Sequence, residues 1–256
     1  MAGHRADFEL RLARDEADIR AAQRLRYEVF VAELGGDGAL VDHDARLERD
    51  AFDAHYDHLL LIDNARPGAP AVGVYRLMRD DMVHRMGRYY SESEYDLRVL
   101  KSSGRRLLEL GRSCVHRDYR GGAALMHLWR GLLAYVERHG IDVMFGVASF
   151  HGTDPTPLAQ PLSLLHHRHL APPELRVRAL PEHFQRMDLV PEDEIDRVEA
   201  MRAVPALIKA YIRLGGFVGE GAFIDLAFNT TDVCVIVDIA RVPEKARAMY
   251  ARGDLV

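Results

Sequence analysis

The strongest constraint on the fold lies in the middle of the chain. RRLLELGRSCV (105–115) is an apolar run of strand length, and RGGAALMHLWRGLLAYVERHG (120–140) has apolar residues at helical spacing and ends at Gly140. IDVMFGVASF (141–150) follows with the continuous apolar character of a buried strand. A strand, a glycine-containing loop, a helix and a second strand predict a crossover unit, in which helices cover a sheet. The sequence therefore predicts an α/β fold.

The segments on either side of this unit supply further strands and helices. Before the unit, they predict a strand at 8–13, a capped helix at 15–36, a hairpin of strands at 58–64 and 71–80, and a largely irregular stretch with one short helix at 86–104. After the unit, they predict a helix at 204–216 and two strands within 221–239 around the turn NTTD. Residues 151–200 contain several prolines, a histidine cluster and a short strand candidate at 174–180. We predict one domain over 1–256, with 151–200 as an insertion in an elaborated second half.

Composition excludes several classes of function. At 256 residues and 48% hydrophobic, the chain can bury a sizeable core. A net charge of -5 without a basic tail argues against nucleic-acid binding. Cys114 and Cys234 lie in apolar runs without metal-binding spacing, which indicates reduced core thiols and a cytoplasmic protein. We find no signal-like segment and no apolar run near the roughly 20 residues of a spanning helix, so any membrane contact is expected to be peripheral.

Four motifs in a fixed order carry a resemblance to a known family: RLRYEVF (24–30), DAFD (50–53), VGVYRL (72–77) and ELGRSCV (109–115). The order of elements resembles the GNAT acyltransferase superfamily. The motifs resemble its acyl-carrier-protein-using branch, the acyl-homoserine-lactone synthases and above all the bacterial L-ornithine N-alpha-acyltransferases. The stretch 206–237 also resembles the latter and hemolysin-annotated acyltransferases, so the resemblance covers most of the chain and is weakest over 151–200.

The resemblance implies a GNAT-like acyl-CoA N-acyltransferase fold with a mixed, mostly antiparallel central sheet flanked by helices. It implies transfer of a 3-hydroxy fatty acyl chain from acyl carrier protein to the alpha-amine of L-ornithine, which gives lyso-ornithine lipid, without a metal or redox cofactor. Three alternatives stay open: an acyl-homoserine-lactone synthase that uses S-adenosylmethionine, another long-chain N-acyl amino acid synthase, and a non-catalytic module that binds lipid or a carrier protein. We further expect transient contact with the inner membrane through aromatic and arginine side chains near Tyr89 and Tyr90.

Acyl transfer from a thioester to an amine needs a deprotonated ammonium, a polarised carbonyl and a reprotonated thiolate. The resemblance implies that Glu109 is the base or the amine-binding carboxylate and that Arg112 is its orienting partner. Strict alternation along the strand puts these two side chains on opposite faces. The resemblance to GNAT sheets implies a β-bulge near the middle of this strand, which Gly111 would mark and which would bring the two charges nearer to each other.

The resemblance also implies an acceptor site at which Asp50 and Asp53 bind a cationic group. From the residues alone, two aspartates in ERDAFD fit a solvated turn or a helix cap equally well. Arg76 interrupts an apolar strand, where a charge is costly unless it is paired. Arg24 and Arg26 precede Tyr27 on the first helix, where stacking on the ring and carboxylate binding are both open to them. We predict Arg76 and Arg24 as the arginines of the acceptor site.

The loop RGGAAL (120–125) keeps only part of the R-G-x-G-x-G pattern that offers N–H groups to the pyrophosphate of coenzyme A. Ala123 and Leu125 replace the later glycines, and their side chains crowd a pyrophosphate. An acyl carrier protein presents a single phosphodiester, which fits a partial loop better; alternatively, RGG only begins a helix. The predicted donor-binding residues are Val115, Arg117, Arg120, Gly121 and Gly122.

Three other patterns are weaker. HHRH (166–169) has no partner at metal-ligand spacing and favours a solvated helix. His58 and Asp63 match H-x-x-x-x-D, the catalytic pair of glycerolipid acyltransferases, but their spacing along one strand puts them on opposite faces. Cys114 lies in an apolar strand, which favours a core thiol over a nucleophile.

Overall fold

The structure is a computed structural model that describes residues 6–39, 41–121 and 123–245. The chain divides into two compact units. The first unit comprises the described residues within Met1–Met78 and Leu110–Gly140, and the second comprises those within Arg79–Glu109 and Ile141–Ala246. The organisation of 1–256 as one domain stays a prediction.

The major strands and helices follow one another along the chain in the predicted order. The strands are β1 (Phe8–Leu12), β2 (Asp57–Asp63), β3 (Ala71–Arg79), β4 (Tyr95–Asp96), β5 (Leu107–Val115), β6 (Val143–His151), β7 (Arg178–Ala179), β8 (Phe184–Gln185), β9 (Phe217–Val218), β10 (Ala222–Asp225) and β11 (Thr230–Asp238). The helices are α1 (Glu16–Arg26), α2 (Arg98–Lys101), α3 (Ala124–His139), α4 (Ala159–His169), α5 (Arg197–Ala203) and α6 (Ala206–Arg213). Short 3-10 turns connect several of them.

The first unit is built on the antiparallel strands β1, β2 and β3. Leu10 in β1 lies opposite Leu61 in β2, and β2 and β3 form the predicted hairpin. α3 packs closely on β1 and β2 at Gly131, where an added Cβ would lie only 2.5 Å from a methyl carbon of Leu10. α3 ends, as predicted, at Gly140, which has a φ of 61° and caps the helix in the left-handed conformation. This close packing requires glycine at position 131.

The first helix starts as predicted but changes its geometry halfway. Asp15 caps α1 by accepting a hydrogen bond from the Asp18 N–H at 3.0 Å. From Tyr27 to Glu33 the chain continues as a π-helix, so the prediction of one α-helix over 15–36 is wrong in its second part. π-helical segments are rare and occur often at functional sites. The α1 and π-helical segments share a buried core with β2 and β3 that contains Ala22, Leu25, Val29, Leu60, Ile62, Val74 and Cys114.

The second unit is built on β6 and β11, which pair antiparallel from Val143 to His151. The first residues of β5 add a parallel strand, with Glu109 opposite Phe145 in β6. β10 pairs antiparallel with β11, and β8 pairs antiparallel with β10. The sheet is therefore mixed and mostly antiparallel. Helices flank it, so the predicted fold class is confirmed.

Residues 151–200 form α4, α5 and two short strands within the second unit. α4 and α5 share a small core of Leu164, Ile195 and Ala200. The strand predicted at 174–180 is reduced to the two residues of β7. Pro172 and Pro173 begin a turn here, in which the Leu175 N–H donates to the Pro172 carbonyl at 2.9 Å. The turn predicted at NTTD lies earlier, because β11 already begins at Thr230.

Candidate active site

Six charged side chains of the first unit meet in its interior, and we call them the buried ionic network: Arg26, Glu48, Asp50, Asp53, Arg76 and Arg112. They come from the end of α1, the loop before β2, β3 and the second part of β5. Three guanidinium groups face three carboxylates, so the network is balanced in charge. Buried charges are stable in a protein only when they are paired in this way.

Arg26 lies at the centre of the network and has no solvent-accessible surface (0%). Its Nη1 lies 2.7 Å from Asp53 Oδ1, and its Nη2 lies 3.0 Å from Asp53 Oδ2. Its Nε donates to the Glu48 carboxylate, and its Nη2 also donates to the Glu48 carbonyl at 2.7 Å. Gln23 adds a hydrogen bond to Asp53 Oδ2 at 2.9 Å. Asp53 and Glu48 are thus fixed by the first helix.

Arg76 is fully buried in β3 and is paired, as a charge in an apolar strand must be. Its Nη1 lies 2.6 Å from Asp50 Oδ1 and 2.8 Å from Asp53 Oδ1. Its guanidinium also lies over the Tyr56 ring, 4.7 Å from the centroid. Arg76 therefore joins the two predicted acceptor-binding aspartates to each other.

Arg112 completes the network from β5. Its Nε donates to Glu48 Oε1 at 3.1 Å, and its Nη2 donates to Asp50 Oδ2 at 3.2 Å. Its φ is 49°, which places a non-glycine residue in the left-handed region. The sequence prediction put the irregularity at Gly111, which does not adopt a positive φ. Such strain is found mainly at functional sites, where surrounding contacts hold it in place.

The network keeps its two aspartates ionised. Burial by itself raises the pKa of Asp53, but the charges and hydrogen bonds of Arg26 and Arg76 outweigh burial and hold that pKa far below its usual range. The pKa of Asp50 is also lowered, because Arg76 and Arg112 outweigh the effect of burial. Both aspartates are therefore anionic at neutral pH, and both already face arginines.

Arg24, the predicted acceptor-binding arginine of the first helix, is exposed and lies outside the network. Arg26, two residues later, takes the buried position instead. The sequence holds a signal for this, because Arg26 follows buried Ala22 by four residues and precedes buried Val29 by three, on one helical face. Glu48 was missed as well, and no local pattern in the sequence identifies it.

Glu109 lies in the second unit and is buried, with 1% of its surface exposed. Its Oε2 accepts a hydrogen bond from the Tyr90 N–H at 3.0 Å, and its Oε1 accepts one from the Ser91 N–H at 2.6 Å. These backbone donors open the 3-10 turn Tyr90–Ser93. The structure thus holds Glu109 in a fixed orientation. Its predicted partnership with Arg112 stays a prediction.

The side chain of Tyr89 is buried, with 2% of its surface exposed, so it offers no surface to a membrane. The transient membrane contact expected near Tyr89 and Tyr90 stays a prediction. The ring of Tyr89 packs edge-on against Phe145, with 5.0 Å between the centroids. The peptide N–H of Tyr90 is bound to Glu109. None of the helices in the described ranges is both long enough and apolar enough to span a membrane.

The predicted donor-binding residues lie around the end of β5. The Val115 carbonyl accepts a hydrogen bond from Arg120 Nε at 3.0 Å. Arg120 also forms a two-pronged ion pair with Glu33, at 2.5 and 2.8 Å, so its charge is largely neutralised. Gly121 has a φ of 75°, and Gly122 lies outside the described residues. Arg117 is exposed.

The other candidate residues have structural roles. His58 is buried and its Nε2 lies 2.9 Å from the Asp53 carbonyl, whereas Asp63 accepts a hydrogen bond from the Tyr119 hydroxyl at 2.7 Å. Burial raises the pKa of the Cys114 thiol, which therefore stays protonated and unreactive. In the second unit, carboxylate oxygens of Glu94, Asp225 and Asp232 lie within 4.8 Å of one another. Such an acidic cluster alone does not establish a metal site.

Comparisons with known proteins agree with this architecture. The acetyltransferase (GNAT) domain family matches residues 25–130. The chain is 58% identical over 255 residues to an L-ornithine N(alpha)-acyltransferase of Rhodobacter capsulatus. The aligned region covers 98% of each chain. It is 45% identical over 253 residues to an L-ornithine N(alpha)-acyltransferase of Brucella abortus, which covers 97% of this chain and 90% of the relative.

Among solved structures, a CoA-dependent acyl-homoserine lactone synthase aligns with a TM-score of 0.53 and 15% identity, over 96% of this chain and 89% of that one. At this identity, the likeness bears on the fold alone.

Proposed function

Because the chain belongs to the L-ornithine N(alpha)-acyltransferase family within the GNAT acyltransferases, we propose that it transfers a 3-hydroxy fatty acyl chain from acyl carrier protein to the alpha-amine of L-ornithine. The product is lyso-ornithine lipid. The observation that carries this proposal is the 58% identity over nearly the whole length of both chains. A match of this extent includes both units and all residues of the buried ionic network.

In the proposed reaction the alpha-amine of ornithine attacks the thioester carbonyl carbon. A C–N bond forms, the C–S bond breaks, and the ammonium proton passes to Glu109 directly or through a water molecule. The departing thiolate of the carrier takes up a proton. Support for Glu109 as the base comes from its burial and its two backbone donors, which orient the carboxylate before the substrate arrives.

On the acceptor side, we assign substrate contact to Asp50 and Arg112. The side chain of Asp50 is 17% exposed and that of Arg112 is 12% exposed, whereas Asp53 is 6% exposed and Arg26 is not exposed at all. Asp50 can therefore meet a cationic group, and Arg112 can meet a carboxylate. Asp53 and the two buried arginines Arg26 and Arg76 act as positioning residues for this pair.

On the donor side, the partial loop 120–125 supports a carrier protein over coenzyme A. Ala123 stands immediately before the first residue of α3. A pyrophosphate bound there would need backbone N–H groups that no side chain obstructs. Arg117 is exposed and suits the attraction of an acidic carrier protein.

The deciding experiment is mass spectrometry of the lipids of a host that makes no aminolipids and expresses this chain. With isotopically labelled ornithine supplied, we expect one labelled lipid whose 3-hydroxy acyl group is joined to the alpha-nitrogen as an amide. Expression of Glu109→Gln serves as the control and should reduce that lipid strongly. Detection of an acylated lactone, or of a lipid acylated on another amine, would show that ornithine is not the acceptor.

A further inference from the structure

A cleft of about 220 Å³ lies in the first unit between the π-helix Tyr27–Glu33 and the segment that follows β5. It is lined by Glu28, Val29, Ala32, Glu33, Arg46, His116 and Arg117. The π-helix thus forms one wall, and the donor-side segment of the chain forms the other.

The cleft has an excess of positive charge. Glu33 is paired with Arg120, and the other wall carboxylate, Glu28, lies 3.9 Å from His116 Nε2. Within residues 6–39, 41–121 and 123–245, neither Arg46 nor Arg117 has a carboxylate at ion-pair distance. Two guanidinium groups on one cleft favour an anion when no carboxylate binds them at contact distance.

Arg46 is held in place although it is exposed. Its φ is 54°, in a turn closed by reciprocal backbone hydrogen bonds between Asp42 and Leu47, both at 2.9 Å. Its guanidinium lies over the ring of buried Tyr27, 5.2 Å from the centroid, and the Tyr27 hydroxyl contacts His43 Nδ1 at 3.2 Å. A guanidinium fixed in this way loses less entropy when it binds a ligand.

We propose that this cleft binds the phosphodiester of the carrier protein's 4'-phosphopantetheine arm, through Arg46 and Arg117 with His116 beside them. The inference rests on the proposed function, which makes an acyl carrier protein the donor. It places the phosphate on the π-helix side of the loop, away from Ala123 at the start of α3.

The separation of Arg112 and His116 along the chain supports a ligand whose anionic group lies away from its thioester. His116 follows Arg112 by four residues, which corresponds to at most about 13 Å along an extended strand. A donor whose thioester lies near Arg112 therefore needs a long and thin arm to reach the cleft. A phosphopantetheine arm has this form, with the phosphate at its far end.

The charges also set a limit on the ligand. Glu28 is half exposed in the wall of the cleft and repels excess negative charge. A phosphodiester carries one negative charge, and two arginines balance it even beside Glu28. The pyrophosphate of coenzyme A carries more negative charge in the same space. Glu28 repels it more strongly, so its net attraction to the cleft is weaker. The cleft thus favours a monoanionic arm.

The kinetic test compares two donors: 3-hydroxyacyl carrier protein, which presents the phosphate, and the same chain on pantetheine, which lacks both the phosphate and the carrier protein. The variants are Arg46→Asn, Arg117→Gln and their combination, because asparagine tolerates the positive φ of position 46. We expect the KM for the acylated carrier protein to rise about tenfold to a hundredfold in the double variant, as loss of charge-assisted hydrogen bonds does. The KM values for acyl-pantetheine and for ornithine should stay unchanged.

Arg138→Gln, at an exposed arginine in the last turn of α3, is the matched control and should change none of these values. Melting curves by circular dichroism verify that each variant is folded. An equal loss with both donors in the folded double variant would overturn the inference.

Binding without turnover separates this inference from the proposed function. Calorimetry measures the affinity for holo carrier protein and for apo carrier protein, which lacks the arm. We expect the holo form to bind more tightly to the wild type and this difference to vanish in the double variant. If no acyl-ornithine forms but the difference is present, the proposed function fails and the phosphate site stands. If acyl-ornithine forms and holo and apo carrier bind equally, the phosphate site alone is wrong.

Discussion

The Arg26 guanidinium and the Asp53 carboxylate form a two-pronged ion pair inside the first unit, with Nη1 2.7 Å from Oδ1 and Nη2 3.0 Å from Oδ2. Arg76 approaches the same carboxylate at 2.8 Å. Asp53 thus holds two arginines that otherwise have only Glu48 and Asp50 as carboxylate partners within the network. Removal of its charge leaves a buried excess of positive charge.

We predict that Asp53→Asn lowers the free energy of unfolding by about 3–5 kcal/mol, the usual cost of leaving a buried partner uncompensated. Asparagine has nearly the same shape, so the effect reports charge rather than volume. Urea unfolding at pH 7 measures it. Asp44→Asn, at an exposed site in the preceding turn, is the control and should change stability by less than about 0.5 kcal/mol. A change below about 1 kcal/mol in Asp53→Asn would show that the pair contributes little.

The same pair predicts a pH dependence. The pKa of Asp53 is lowered in the folded protein relative to an unfolded value of about 3.9. Its contribution to stability is therefore complete above that unfolded value and is lost as the pH falls toward the folded pKa. We expect the stability difference between wild type and Asp53→Asn to be constant from about pH 7 to pH 5 and to shrink below about pH 4. Urea unfolding of both proteins across this range tests the sign; a difference that grows in acid contradicts it.

The sequence predicted the major strands and helices because their apolar patterns are local. The strand at 58–64, the helix that ends at Gly140 and the buried strand at 141–150 all appear within a few residues of the expected bounds. The π-helix Tyr27–Glu33 was not predictable, since its residues also suit an α-helix and the choice depends on packing against β2 and β3. The short strand β7 was overestimated, because prolines before it begin a turn.

The site was predictable where a motif placed a charge in an apolar strand, as at Arg76 and Glu109. It was not predictable where a partner comes from a distant loop. Glu48 approaches Arg26 and Arg112 only after the chain folds, and no spacing in the sequence links these three positions. Arg24 and Arg26 flank one leucine, and the spacing of Arg26 from Ala22 and Val29 was the available signal that Arg26 lies on the covered helical face.

We predict that Glu109→Gln lowers turnover by about a hundredfold or more, because an amide cannot act as a base. The structure adds a second effect. Tyr90 and Ser91 each donate an N–H to one oxygen of Glu109, and glutamine must turn its own NH2 toward one of these donors. We therefore expect the free energy of unfolding to fall by about 1–3 kcal/mol as well.

Single-turnover rates on the folded variant separate the two effects, with urea unfolding measured in parallel. Glu137→Gln, at an exposed glutamate on α3, is the matched control. Near-normal turnover in folded Glu109→Gln would remove Glu109 from the role of base.

For the acceptor side we predict that Asp50→Asn raises the KM for ornithine more than the KM for the acylated carrier protein. Asp50 is the more exposed of the two network aspartates and already holds Arg112 at 3.2 Å. Loss of the Asp50 charge removes the carboxylate that would bind the cationic group of the substrate. It also weakens the contact that holds Arg112. Initial rates with each substrate varied in turn measure the two constants. A change confined to the carrier-protein KM would move Asp50 to the donor side.

The last prediction concerns the two arginines beside the donor loop, which the structure separates. Arg117 is exposed and, among the described residues, has no carboxylate at ion-pair distance, whereas Arg120 forms a close ion pair with Glu33. Arg117→Glu should therefore slow turnover with the acidic carrier protein, and raised salt should slow the wild type in the same way. Arg120→Glu brings two carboxylates together and should disturb the loop itself, so both carrier-protein and acyl-pantetheine turnover should fall.

The charge-swapped double variant Glu33→Arg, Arg120→Glu restores the pair and should recover acyl-pantetheine turnover. Steady-state rates with both donors at low and high salt test these expectations together, on the wild type, the three variant proteins and the control Arg138→Glu. A salt-insensitive reaction with the carrier protein would show that exposed arginines do not guide it to this surface.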